Sequence, residues 1–234
     1  MYYTINNNNN KFKPSYLFID IKEIKNKHNV IHLCFQNSNL KEIPNITEFI
    51  NLKSLNISHN NLTKLPHLSQ FKKLNDINLS YNKLVELPDL SNCINLDIIN
   101  IHDNKITDLF DLSKLVNLKK IICSSNLLTK LPNLSNCINL EYINFSNNNI
   151  YIFPNLINLN KLQMIYSYCN SFTKAHKSII QCKKLNYYKK YNIYKNINIL
   201  SDLLNWNINK YYYLHIMKYY KNKLITLINI LDYR

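Results

Sequence analysis

The side chains of this 234-residue chain that could do chemistry are seven histidines, six cysteines and fourteen acidic residues, and their spacing points away from catalysis. Cys34, Cys93, Cys123, Cys137, Cys169 and Cys182 include no C-x-x-C pair, so the ligand spacing of a zinc site is missing. The histidines share no periodic position. His102 and Asp103 are adjacent and would suggest a histidine–carboxylate dyad, but neighbouring residues of a strand point to opposite faces. No G-x-S-x-G or H-E-x-x-H motif occurs, and a chain with no glycine cannot build a glycine-rich phosphate loop. The residues predict no enzyme, no cofactor and no metal, but a scaffold that presents a surface.

The elements that would hold such a surface follow one period. Leu52, Leu55, Ile57, Asn60, Leu62, Leu65 and Leu68 return 22 positions later as Leu74, Ile77, Leu79, Asn82, Leu84, Leu87 and Leu90, then again from Leu96, Leu118 and Leu140. Backwards, Val30, Leu33, Phe35, Leu40, Ile43 and Ile46 keep register. A repeat at fixed period outranks other signals. The alternation at Leu55-Asn56-Ile57 is strand periodicity. One short strand cannot bury its apolar side alone, so the units must stack in parallel. Asn60, Asn82, Asn104, Asn126, Asn148 and Asn170 stand where the chain leaves each strand, and an amide there can serve turn groups that lack ladder partners. Ser38 replaces asparagine in the first repeat. Five of six prolines follow an apolar residue on the return leg, at Pro44, Pro66, Pro88, Pro132 and Pro154, where an extended backbone off the ladder is expected; Phe110 takes this place in the fourth repeat. A Leu-Ser pair follows, as at Leu90-Ser91, and the serine is expected to cap one short helical or 3-10 turn. Cys93 and Cys137 share a core position with Phe49, Phe71, Leu115 and Leu159, and Cys123 replaces a core isoleucine, so all three read as small buried hydrophobes.

The pattern L-x-x-L-x-L-x-x-N-x-L resembles the leucine-rich-repeat family, in particular the 22-residue class of protein phosphatase 1 regulatory subunits and bacterial internalins. The resemblance runs from Val30 to about Phe172. It implies an α/β fold: a right-handed solenoid with a parallel sheet on its concave side. It also implies protein binding as the function, with regulation of an enzyme such as a phosphatase as an alternative.

Four segments follow. Residues 1–14 are an asparagine-rich head expected to be disordered. Residues 15–29, with Ser15 as N-cap and Leu17, Phe18, Ile21 and Ile24 at helical spacing, predict a capping helix. Residues 30–172 are the repeats, about seven units of which the last is degenerate. Residues 173–234 predict a helical cap or module. There Tyr213, Ile216, Met217, Tyr220, Leu224, Leu227, Ile228 and Leu231 lie on one helical face, and Ile179, Cys182 and Leu185 suggest an earlier helix. Of the formal net charge of +15, most sits in this tail, where eleven lysines and Arg234 stand against Asp202 and Asp232. The tail therefore offers an alternative function, binding an acidic partner, RNA or an anionic membrane. Absent glycine, turns that need positive φ are expected to use Asn or Asp. The start shows no secretory signal, and no stretch is apolar enough to span a bilayer, so an intracellular, cytoplasmic monomer with reduced thiols is expected.

Three columns around the strands are expected on the concave side. They are His32, Ser54, Asp76, Ile98, Lys120, Tyr142, Met164; then Cys34, Asn56, Asn78, Asn100, Ile122, Asn144, Tyr166; then Gln36, Ser58, Ser80, His102, Ser124, Ser146, Tyr168. Small polar residues open the columns, and apolar or aromatic ones accumulate from the fourth repeat on. Ile98, Lys120, Ile122, Tyr142, Met164, Tyr166 and Tyr168 are the predicted partner-binding residues, with Lys120 and His102 at the rim.

Overall fold

The computed structural model describes residues 21, 24–156, 158–167 and 169–171, and the backbone of 187–188. Strands β1 (His32–Cys34), β2 (Ser54–Asn56), β3 (Asp76–Asn78), β4 (Ile98–Asn100), β5 (Lys120–Ile122), β6 (Tyr142–Asn144), β7 (Met164–Tyr166) and β8 (Tyr187–Tyr188) form one parallel sheet in sequence order. From β1 to β7 each residue pairs with the one 22 positions on, as in His32 with Ser54 and Ser54 with Asp76. The period of the sequence is thus the register of the sheet.

Each strand is short because only its middle residue is core. Leu33, Leu55, Ile77, Ile99, Ile121, Ile143 and Ile165 are buried, while the two residues flanking each of them look out from the sheet. Ladder bonding continues past the strands. The Phe35 amide donates to Asn56 O at 2.7 Å, His59 to Ser80 O at 2.9 Å and Asn60 to Tyr81 O at 3.1 Å. The main-chain donors of one turn are therefore satisfied by the next, as parallel stacking requires.

The return leg closes on itself by successive three-residue steps. Phe49 N bonds Ile46 O at 3.1 Å and Leu52 N bonds Phe49 O at 3.0 Å, and the pattern recurs at Leu90–Cys93–Leu96 and Leu134–Cys137–Leu140. No α-helix is present among the described residues. The residue that caps this leg is not the serine. Asp89 Oδ1 accepts from Ser91 N at 2.8 Å, Asp111 from Ser113 N at 2.9 Å and Asn133 from Ser135 N at 3.0 Å. An Asx side chain mimics a turn of backbone two residues ahead of it, and the serine is its donor. The Ser91 amide, then its hydroxyl, hold the Asp89 carboxyl below its ordinary value; the Ser113 hydroxyl, then its amide, do so for Asp111.

The core is one stack of columns. Phe35, Phe49, Phe71, Phe145 and Phe153 are its largest fully buried side chains. Cys93 and Cys137 lie in it beside Phe71 and Leu115, and burial pushes both thiols up to about 11; burial pushes Cys123 up to about 12.

One end differs from the reading of the sequence. In the expected N-terminal cap Ile21 and Ile24 are buried, and Ile21 and Lys27–Asn29 are in 3-10 turns; Ser15, Leu17 and Phe18 lie outside the described residues. At the C-terminal end the sheet has an eighth strand that the sequence did not suggest. Met164 pairs with Tyr187 and Ile165 with Tyr188, a step of 23 that breaks the period. The predicted helices around Ile179, Cys182 and Leu185 and over 213–231 lie outside the described residues.

Candidate partner-binding surface

The asparagine column joins neighbouring turns. Asn60 Nδ2 donates to Phe35 O at 2.8 Å and Ile57 O at 3.0 Å, and its Oδ1 accepts from Leu40 N at 2.9 Å and Ser38 N at 3.1 Å. Asn82, Asn104, Asn126 and Asn148 repeat this bonding, each with its oxygen on the preceding turn (Leu62, Leu84, Ile106, Leu128) and its nitrogen on carbonyls of both turns. Asn170 does the same with Ile150 N and Phe145 O. These amides fix the edge from which the open face of the sheet starts.

The residue before each of them is left-handed. His59, Tyr81, Asp103, Ser125, Asn147 and Cys169 have φ between 52° and 56°, as do Asn37 and Asn39 at the first turn. The expectation that only Asn or Asp would serve here is wrong. His, Tyr, Ser and Cys hold the same conformation, because the ladder bonds on both sides leave the backbone no other path. The steric cost is roughly 1–2 kcal/mol for a residue with a Cβ. His102 and Asp103 both lie beyond the strand, in this corner, so strand alternation does not separate them. His102 Nδ1 sits 2.9 Å from Ser124 Oγ, and its ring meets Tyr81 edge-on at 5.0 Å. Tyr81 stacks on His59 at 4.2 Å.

In the third expected column the serines do not belong to the open face, whereas Gln36 and His102 are half-buried. Ser58, Ser80, Ser124 and Ser146 are buried. Asn56, Asn78 and Asn144 draw the serines two positions on inward, each through an Oγ to Oδ1 bond of 2.7 Å. Where serine holds the third column the open face is thus two columns wide.

On those columns the sheet places the apolar residues side by side. Ile98, Lys120, Tyr142 and Met164 are successive partners in one row, and Ile122, Asn144 and Tyr166 in the other. Ile98 is 36% exposed, and the others are half-buried. The Tyr142 and Tyr166 rings lie 5.5 Å apart at 42°. The Lys120 ammonium stands 4.7 Å from the Tyr142 ring centre, a cation–π contact. Tyr168 lies outside the described residues.

Two periodic features escaped the sequence reading. Asn51, Asn95, Asn117 and Asn139 donate to His28 O, Lys72 O, Ile94 O and Val116 O at 2.8–3.0 Å, forming a second, exposed amide ladder on the return side. Beside it Ile50, Ile94, Val116 and Ile138 are exposed at one repeat position. Both show in the sequence only when every column is read, not the leucine columns alone. Among the described residues no group of three His, Cys, Asp or Glu could hold a metal ion, and no helix is long and apolar enough to cross a membrane.

No protein-family model and no curated protein matches the chain. Solved structures do. YopM, a leucine-rich effector protein from Yersinia pestis, is 32% identical with a TM-score of 0.58, over 64% of this chain and 40% of that one. Internalin C2 from Listeria monocytogenes is 24% identical with a TM-score of 0.53, over 68% and 70%. The leucine-rich-repeat ectodomain of a plant membrane receptor kinase from Arabidopsis thaliana, in complex with Casparian strip integrity factor 2, is 24% identical with a TM-score of 0.60, over 66% and 20%. The chain therefore spans 40% of the effector and 20% of the ectodomain. Parallel strands at a 22-residue register, the asparagine column and these likenesses agree: residues 30–171 are a leucine-rich-repeat solenoid.

Proposed function

We propose that this chain is a non-catalytic scaffold that binds a protein partner through the open face of its sheet, mainly over β4 to β7. The observation that carries this reading is the cluster of Ile98, Ile122, Tyr142, Met164 and Tyr166 on a face where the first three strands bear His32, Cys34, Ser54, Asn56, Asp76 and Asn78, none of them a large apolar residue. Apolar and aromatic side chains at such places mark contact sites, and aromatic anchors commonly cost about 2 kcal/mol or more of binding when truncated. The plant ectodomain solved with its factor supports a binding role for the fold.

The test is affinity capture from a cell lysate with the wild-type chain and with an Ile122→Ser, Tyr166→Ala double variant. Neither side chain points into the repeat core, so the variant is expected to keep its far-UV spectrum and to lose its partner. A folded variant that captures every wild-type partner places binding elsewhere.

The charge of residues 173–234 favours a second reading, in which the tail binds RNA or anionic vesicles. That binding would fall steeply with salt. Absence of binding at low salt removes it.

A further inference from the structure

The open face is chemically divided along the solenoid. On β3, the Asp76 side chain makes no hydrogen bond or ion pair among the described residues. Burial raises its carboxyl above the ordinary value, the neighbouring Asp97 carboxylate raises it further, and His32 and Lys119 act against both. None of the nearby cations forms an ion pair with Asp76: His32 stands two strands away on β1, and both lysines are engaged by other groups. Lys119 Nζ pairs with Asp97 Oδ2 at 3.1 Å, and Lys120 lies over the Tyr142 ring. One strand on, Ile98 begins the apolar rows that lead to Tyr142 and Tyr166. A half-buried carboxylate with an acidic neighbour and no ion-pair partner thus borders an apolar anchor site.

We propose that the partner lies on this face as an extended segment running across the strands, with a lysine or arginine against Asp76 and a large apolar or aromatic side chain over Ile122, Tyr142 and Tyr166. The proposal rests on the open face being the binding surface. A cation from the partner stabilises the half-buried Asp76 carboxylate, which gives selectivity against acidic segments. Phosphate would meet this same carboxylate, so a nucleic acid does not suit this face. The spacing follows from the sheet. Asp76 on β3 is two strands from Ile122 and three from Tyr142, which is roughly 10–14 Å at about 4.8 Å per strand. An extended chain advances about 3.3 Å per residue, so the cation and the anchor stand roughly three to four residues apart.

The experiment is fluorescence anisotropy on the full chain with short labelled peptides of a serine–alanine background. The matched peptide carries one arginine and one tryptophan roughly four positions apart. Comparison peptides replace the arginine by glutamate or serine, or double the separation. The matched peptide is expected to bind at least about tenfold more tightly than the glutamate peptide. Asp76→Asn is expected to weaken the matched peptide about fivefold and leave the serine peptide unchanged. Ile122→Ser with Tyr166→Ala is expected to abolish binding of all of them. Equal binding of the arginine and glutamate peptides, or indifference to Asp76→Asn, overturns the cation site; if the double variant still abolishes binding, the face itself remains the binding surface. Failure of every peptide to bind overturns the extended-segment proposal and leaves lysate capture to judge the face. A short labelled RNA that binds the wild type, and is lost in the double variant, overturns the assignment of a peptide to this face.

Discussion

The Asn104 side chain donates to the carbonyl of Leu79, 25 residues earlier, at 3.1 Å, while its oxygen accepts from Leu84 N at 3.0 Å. One amide thus bridges two turns inside the protein, where water cannot replace it. Asn104→Ala should cost about 3 kcal/mol, the upper end of the 1–3 kcal/mol expected for a buried group left unsatisfied. Asn117→Ala, which removes one exposed bond to Ile94 O, should cost no more than about 1 kcal/mol. Urea midpoints at constant slope measure both. Equal losses would show that the buried column is no more than decoration.

Ser125 holds φ 54° without being glycine. Ser125→Gly should relieve roughly 1–2 kcal/mol of strain and lose roughly 0.5–1 kcal/mol to the entropy of the unfolded chain, for a net gain of about 0.5–1 kcal/mol. Ser125→Val should destabilise, since a β-branched residue suits this region worst. Thermal melts of the pair decide; a glycine variant that melts lower rejects the strain argument.

The raised Asp76 carboxyl sets the sign of a pH effect. The folded state holds this proton more tightly than the unfolded chain, so ionisation works against folding, and the penalty grows as pH rises through the folded value. Asp76→Asn should therefore be stabilising at pH 7, with the advantage fading as pH falls below the ordinary carboxylate value of 3.8. The difference between wild-type and variant denaturation midpoints across pH 3 to 7 is the readout. A difference that is flat with pH contradicts the shift.

Cys93, Cys123 and Cys137 are buried and their thiols are raised, whereas Cys169 is exposed and Cys34 half-buried. A thiol reacts as the thiolate, so iodoacetamide at pH 8 should modify Cys169 first among the cysteines of the described residues and leave the three core cysteines untouched until denaturant is added. Peptide mass mapping follows the order. Early labelling of Cys93 or Cys137 would mean that the repeat core opens.

The register of β1 to β7 and the apolar columns were legible because a 22-residue period states the same packing demand many times. Pairs such as Ile99 with Ile121 could be read directly. What the repeat does not state is how one side chain redirects another. Ser146 is polar and sits at an outward-looking position, yet Asn144 holds it inside. Tyr81 is a poor choice for a left-handed corner, yet the bonds from its own amide to His102 O and from Asn82 to Asp103 O fix the corner whatever residue occupies it. The rows joining Lys120 to Tyr142 and Ile122 to Tyr166 could be read from the columns, but the ammonium over the ring could not, because rotamer choice depends on neighbours in space. The eighth strand was hidden by a single extra residue in its spacing.

A sheet in which every pairing from β1 to β7 steps by 22 residues also has no preferred length. Each turn presents the same edge it receives, so an in-frame duplication or loss of one whole turn leaves no amide without a carbonyl and no core column broken. What such an event does alter is the distance between features on different turns. A turn gained between β4 and β5 would carry the Asp76 carboxylate away from the Tyr142 ring by about 4.8 Å. Lineages of this gene can thus retune what they grip through recombination alone, shifting the ruler of the binding face in whole notches while its interior chemistry stays as it is.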